Sequence, residues 1–181
     1  MIKERQILNQ QDIVITIERL CQQLIEHHND FNNTVIVGVQ PRGTFLSNRI
    51  IVQLKQLLKT TNIESGNLDI AFYRDDLRRR EEPIVPQVMD MNLSLEGKNV
   101  VLIDDVLFTG RSIRSAIDAL MAFGRPKSVE LLILIDRRFG RDLPIQPNYV
   151  GRTIDALETE KVIVEWKEIN GKDRVLMRES E

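Results

Sequence analysis

Three short stretches, "TVIVGV" at residues 34–39, "NVVLID" at 99–104 and "VELLILID" at 129–136, are apolar at almost every position and rich in β-branched side chains. A strand with one wet face alternates apolar and polar residues, whereas a strand buried on both faces reads as a continuous apolar run. These runs therefore belong inside a sheet covered on both sides. Stretches with helical spacing lie between them. Residues 10–28 put Ile13, Ile17, Leu20, Leu24 and Ile25 on one stripe; residues 44–58 do the same with Leu46, Ile50, Leu54, Leu57 and Leu58. Residues 111–123 carry Ile113, Ile117 and Leu120 on one face, and "LDIAFY" at 68–73 is a further strand candidate. Alternating strands and helices predict an α/β fold, a parallel sheet flanked by helices. After residue 140 the pattern changes: a Pro-containing stretch precedes "KVIVEW" and "DRVLMR", two strands around a turn at "INGKD". The expectation is one domain over 1–181, with a core of about residues 1–138 and a small C-terminal β region of about 139–181.

Composition narrows the class. The chain is 42% hydrophobic and 29% charged over 181 residues, which suits a soluble globular domain. A net charge of -2 gives no bulk electrostatic case for nucleic acid or an anionic membrane. Cys21 is alone, so no internal disulfide forms, in keeping with a reducing compartment. The first residues lack the apolar core of a signal peptide, and no apolar run approaches the roughly 18 residues of a membrane span. A cytoplasmic location is expected.

The chemistry is concentrated in "VVLIDDVLFTGRS", residues 100–112. In open α/β sheets ligands bind beyond the carboxyl ends of the strands. Asp104 and Asp105 emerge there on opposite sides of the chain. Val106, Leu107, Phe108, Thr109, Gly110, Arg111 and Ser112 then lead into a helix, whose first turn presents free backbone N–H groups and the positive end of the helix dipole. Gly110 allows close backbone approach, and Thr109 and Ser112 add hydroxyls, so the segment reads as a phosphate cradle. The G-x-x-x-x-G-K-[ST] pattern of nucleoside-triphosphate sites is absent from the sequence. Adjacent carboxylates accept hydrogen bonds from sugar hydroxyls or hold a hydrated Mg²⁺; together with a phosphate cradle they describe a site for a phosphorylated ribose. The plainer alternative is that the acids end a strand and Thr109 caps a helix.

This string resembles the phosphoribosyl pyrophosphate (PRPP) signature of type I phosphoribosyltransferases. Together with "VGVQPRGTFLSNRI", "DIAFYRDDL", "LIDRRFGRDLPIQPNYVG" and "EKVIV" it resembles the PyrR-type family along nearly the whole chain. The resemblance implies a type I phosphoribosyltransferase-like fold with a C-terminal hood, and transfer of ribose 5-phosphate from PRPP to uracil, giving UMP and pyrophosphate. It implies Mg²⁺ bound with PRPP, with no side chain ligating a metal directly, and a homodimer or higher homo-oligomer. Gln40, Pro41, Arg42 and Gly43 match the pyrophosphate loop, and the Gln40–Pro41 bond is a cis candidate. Tyr73, Arg74, Asp75 and Asp76 begin a flexible loop, with eight charges between Arg74 and Glu82, that closes over PRPP. Asp136, Arg137, Val162 and Ile163 would meet the base. Asp104, Asp105 and Arg42 would stabilise the charges that develop during transfer. His27 and His28, at a helix end, are assigned a capping or surface role.

The same family includes members that bind pyrimidine-operon messenger RNA through a basic face. The matching helix positions here are Ile15, Glu18, Gln22 and His27. In the second region Arg141 and Arg152 keep their charge but Gln146 stands between them. Phosphate neutralisation drives such binding, so weak or no binding to a messenger leader is expected. Two alternatives remain: a nucleotide-sensing regulator with little catalysis, and a phosphoribosyltransferase for another base.

Overall fold

The structure, a computed structural model, describes residues 4–60, 62–75 and 93–179. Five parallel strands form the central sheet in the order β3-β2-β4-β5-β6: β2 (Thr34–Val39), β3 (Glu64–Leu68), β4 (Asn99–Leu107), β5 (Ser128–Arg137) and β6 (Tyr149–Ile154). A second, antiparallel sheet has the order β1-β8-β7, from β1 (Glu4–Leu8), β7 (Glu160–Glu165) and β8 (Arg174–Glu179).

The three apolar runs became β2, β4 and β5, the inner strands, because both of their faces are covered. Ile36, Val101, Ile103, Leu132 and Leu134 point to the layer holding α1 (Gln10–His28) and α2 (Gly43–Leu58). Val35, Val37, Val100, Leu102, Leu131 and Ile133 point to the layer holding α3 (Arg111–Leu120). Helix α1 starts at a reciprocal cap: the Asp12 amide donates to Asn9 Oδ1 at 2.9 Å, and the Asn9 amide to Asp12 Oδ2 at 2.9 Å. Among the described residues no helix is long and apolar enough to cross a membrane.

Three expectations need correction. The strand placed at 68–73 lies earlier, at Glu64–Leu68; beyond it Asp69 Oδ1 accepts the Ala71 amide at 2.8 Å and starts a 3-10 turn over Ala71–Tyr73. The C-terminal boundary near 139 does not separate the two sheets. Strand β6 lies past it yet is the edge strand of the central sheet, and β1, at the opposite end of the chain, pairs with β8 through Glu4↔Arg178 and Gln6↔Leu176. Neither strand has a sequence signature, because each is an edge made by its partner. Gly151 breaks the pattern of β6 for a packing reason: a Cβ there would lie 2.4 Å from the Leu134 carbonyl oxygen and 2.8 Å from Thr16 Cγ2. Third, the turn between β7 and β8 contains a single helical turn, α4 (Lys167–Asn170), closed by Gly171 at φ 75°.

The small sheet rests on the α1–α2 layer through Leu8, Val164, Trp166, Val175 and Met177. Trp166 is fully buried, and the Arg49 guanidinium lies 4.5 Å from its ring centroid while pairing with Glu168 at 2.9 Å and Asp173 at 2.8 Å. The indole Nε1 is buried with no acceptor. Urea denaturation of Trp166→Ala should show a loss of about 3–5 kcal/mol. Trp166→Phe, which removes the unpaired donor but keeps a ring, should lose much less; equal losses would mean that ring packing does not hold the small sheet down.

Candidate active site at the carboxyl ends of the strands

The acidic pair sits inside the end of β4 rather than past it. Asp104 still pairs with Ile133 of β5, and the ladder runs on to Leu107↔Asp136. Asp105 is 6% exposed. Burial raises the Asp104 pKa well above the usual carboxylate range, with the neighbouring Asp105 charge adding to the effect. The Asp105 amide, which donates to Asp104 Oδ1 at 2.9 Å, and the fields of Arg74 and Arg42 oppose it. Burial likewise lifts Asp105 to about 6, against Arg42 and the backbone amides beside it. Like charges forced together out of water hold protons more tightly than free carboxylates do. The pair is therefore under-compensated, and its oxygens suit a divalent cation or sugar hydroxyls.

The loop after β2 is pressed against this pair. A Cβ on Gly43 would lie 2.4 Å from the Ile103 carbonyl oxygen, 3.0 Å from Asp104 Cα and 3.1 Å from Asp104 Oδ1, so only glycine permits the approach. The Gln40–Pro41 peptide bond is cis, as the sequence suggested. Arg42, the residue before α2, reaches across to the small sheet, where its Nη1 donates to the Val164 carbonyl at 2.9 Å. Val162 and Ile163, half-buried on β7, stand just before that carbonyl. The loop, the acids and the hood strand are thus brought together.

Beyond β4, Gly110 takes φ 90° and α3 begins at Arg111 with no side-chain cap. Thr109 does not cap the helix, as the plainer alternative would have it; its hydroxyl is 3.4 Å from the Arg111 amide, and its carbonyl accepts from the amides of Asp142 and Leu143. The side chains of α3 brace neighbouring loops. Arg111 pairs with Asp142 at 2.9 Å and with Asp75 at 2.5 Å, a bond that holds the Asp75 carboxyl below the usual range. Arg114 donates to the Tyr73 carbonyl at 3.0 Å. Tyr73, Arg74 and Asp75 are thereby held at the mouth of the site; Asp76 lies outside the described residues, as do Arg78, Arg79 and Arg80.

At the end of β5, Asp136 is engaged by Arg141 at 2.5 Å, and Arg141 also donates to the Phe108 carbonyl. Arg137 is 4% exposed, stacks 3.7 Å from the Phe108 ring centroid and donates to the Leu157 carbonyl at 3.1 Å. Its Nε is buried with no acceptor, and burial lowers its pKa, opposed by Glu160. The stack joins the segment after β4 to the end of β5. Nothing in the sequence marked Phe108 or the Val164 carbonyl for these roles, because the Arg42–Val164 bond spans 122 residues. Arg141, expected on a basic face, points inward, and Arg152 donates to the Ile7 carbonyl at 3.0 Å. Ile15 is 55% exposed.

Residues 4–168 match the family model described as the phosphoribosyl transferase domain. The "Bifunctional protein pyrR" of Enterococcus faecalis is 42% identical over 161 residues, 89% of each chain. The "Bifunctional protein PyrR" of Clostridioides difficile is 37% identical over 180 residues, covering 99% of this chain and 100% of that one. Among solved structures, the hypoxanthine phosphoribosyltransferase of Trypanosoma cruzi superposes with a TM-score of 0.73 at 15% identity, over 98% of this chain and 97% of that chain. That of Staphylococcus aureus gives 0.69 at 21% identity, over 95% and 90%; these two likenesses speak to the fold. A central parallel sheet with buried acids at its carboxyl edge, and relatives matched along nearly their full length, lead to one conclusion: the chain belongs to the PyrR-type phosphoribosyltransferases.

Proposed function

We propose that the protein is a uracil phosphoribosyltransferase that forms UMP and pyrophosphate from uracil and PRPP. The observation that carries this reading is the Asp104–Asp105 pair in the end of β4, with Asp105 buried and Asp104 partly so, held against Gly43 of one loop and followed four residues after Asp105 by the cradle that opens at Thr109. In this reading the two carboxylates bind the ribose hydroxyls and stabilise positive charge as it builds on the sugar ring. Thr109, Gly110, Arg111 and Ser112 hold the 5-phosphate with first-turn amides. Gln40, Pro41, Arg42 and Gly43 receive pyrophosphate, and Arg42, already bonded to the hood, links its departure to the position of Val162 and Ile163 beside the base. Asp136 acts by holding Arg141, and the Arg137–Phe108 stack closes the side of the base pocket. Mg²⁺ arriving with PRPP would supply charge neutralisation at the pyrophosphate. Tyr73, Arg74, Asp75 and Asp76 begin the loop that covers the bound substrate.

Uracil rests on the relatives' family rather than on pocket chemistry, so substrate profiling is the decisive experiment. Purified protein is mixed with Mg²⁺, PRPP and radiolabelled uracil, with hypoxanthine and orotate in parallel. UMP is expected from uracil alone, with kcat lowered about 10²–10³-fold in Asp104→Asn and Asp105→Asn. Nucleotide from hypoxanthine alone would overturn the uracil assignment.

The word "bifunctional" in the relatives' names favours a second role. Regulation through a pyrimidine-gene messenger leader is that second reading. With Arg141 and Arg152 both bonded to groups of the protein itself, binding to the leader is expected to be weak. Tight, salt-sensitive retention of the leader in a gel shift would reverse that expectation.

The pair also sets a stability prediction. Below about pH 4 Asp105 is protonated in both folded and unfolded states, so its burial takes nothing from stability there. As pH rises, the unfolded carboxyl ionises first, and stability falls until the folded group ionises at about 6. Asp105→Asn should therefore be more stable than the native chain at pH 7, by about 1–3 kcal/mol, with the gap closing toward pH 4. Chemical denaturation at the two pH values checks this; a gap that does not change with pH would contradict it.

A further inference from the structure

The chain has only two histidines, His27 and His28, and both lie in the last turn of α1. Their neighbours are at the starts of the strands: Thr34 opens β2, Tyr149 opens β6 and Glu130 is near the start of β5. The cluster thus sits at the amino edge of the sheet, whereas the acidic pair sits toward its carboxyl edge, where Asp104 pairs with Ile133. No step proposed above uses it.

Both imidazoles converge on one carboxylate. His27 Nε2 is 3.2 Å from Glu130 Oε1, and His28 Nε2 is 3.1 Å from Glu130 Oε2. The three ligating atoms lie within 4.8 Å of one another. Nitrogen and oxygen donors about 2.0–2.1 Å from a tetrahedral centre stand about 3.3–3.4 Å apart, close to the two histidine–Glu130 separations. The surroundings are those of a held site rather than a surface contact. The His28 side chain is 3% exposed and that of Glu130 14%, while that of His27 is 63% exposed, so the cluster is walled on one side and open on the other. Of the capping or surface role expected for the histidines, the surface half fails for His28.

Supporting hydrogen bonds orient the donors. His28 Nδ1 is 3.2 Å from Thr34 Oγ1; with the proton on Nδ1 and Thr34 accepting it, Nε2 presents its lone pair to the cluster. The Tyr149 hydroxyl donates to Glu130 Oε2 at 2.7 Å and fixes the carboxylate. Charge points the same way. Among the described residues Glu130 makes ion pairs only with the two histidines. Burial makes His28 harder to protonate, although Glu130 opposes this. The carboxyl end of α1 adds partial negative charge. A mostly buried carboxylate in that field lacks a full positive partner.

We propose that His27, His28 and Glu130 form a site for a divalent transition metal of the zinc class, completed by solvent, that clips the end of α1 to β5. Two imidazoles and one carboxylate suit Zn²⁺, Co²⁺ or Ni²⁺, whereas Mg²⁺ prefers oxygen ligands, so the site is chemically distinct from the one that would receive Mg²⁺ with PRPP. It stands or falls independently of the uracil reading.

Because every histidine of the chain is in the cluster, tag-free protein gives a clean test. Chelator-stripped protein is titrated with Zn²⁺ by calorimetry and with Co²⁺ by visible absorption. One Zn²⁺ per chain with micromolar or tighter affinity is expected, together with Co²⁺ bands of a four- or five-coordinate centre. The Tm should rise by about 5 °C or more at 100-fold excess of Zn²⁺ over its Kd. His27→Ala, at an exposed position, should keep the metal-free Tm yet weaken Zn²⁺ binding about tenfold or more, as should Glu130→Gln. Absence of saturable binding below about 100 μM, or His27→Ala binding as tightly as the native chain, would overturn the site.

Discussion

Two carboxylates on consecutive residues, Asp104 and Asp105, are held in the end of a buried strand, and the organisation of the site depends on them. Isolated, they would repel each other and lose hydration, a cost that neither the strand nor the core repays. Burial raises the pKa of both; a backbone amide and the fields of Arg74 and Arg42 oppose it at Asp104, and the field of Arg42 and backbone amides oppose it at Asp105. The protein is thus built with a local deficit of positive charge at the carboxyl edge of its sheet. That deficit is what a phosphorylated ribose, with its hydroxyls and accompanying cation, is suited to fill.

Holding such a pair requires the rest of the molecule to be stiff around it. Strands β2, β4 and β5 are covered on both faces, so the acids project from a rigid frame. Gly43 brings a second loop into contact with the Ile103 carbonyl, and Arg42 carries that loop's influence to Val164 of the hood. Helix α3 is tied by Arg111 to Asp75 and Asp142 and by Arg114 to Tyr73. The elements around the acids are therefore coupled by identifiable polar bonds as well as by the hydrophobic core they share.

The inner strands and the three long helices were legible in the sequence because burial on both faces, or on one stripe, leaves a pattern in the chain itself. The motif at residues 100–112 was legible for a related reason: its acids, glycine and hydroxyls are contiguous. Strands β1, β3 and β6 were not. Their residues are partly exposed and polar, and the extended state of Glu4–Leu8 exists only because β8, from the far end of the chain, pairs with it. The partners of Arg42, Arg137 and His28 were equally hidden. A bond such as Arg42 to Val164, or His28 to Glu130 across 102 residues, is decided by the fold and leaves no local trace. Arg141 shows the converse: a charge that looked free in the sequence is committed to Asp136.

The central claim is that burial makes the acidic pair hold protons more tightly than free carboxylates do, and that a ribose phosphate with Mg²⁺ offsets that burial. Calorimetry of PRPP binding in the presence of Mg²⁺ at about pH 6, repeated in buffers of different ionisation enthalpy, measures the proton exchange directly. The account predicts net proton release from the native chain at that pH, and a smaller release from Asp105→Asn. Equal proton release from the two proteins would contradict the account.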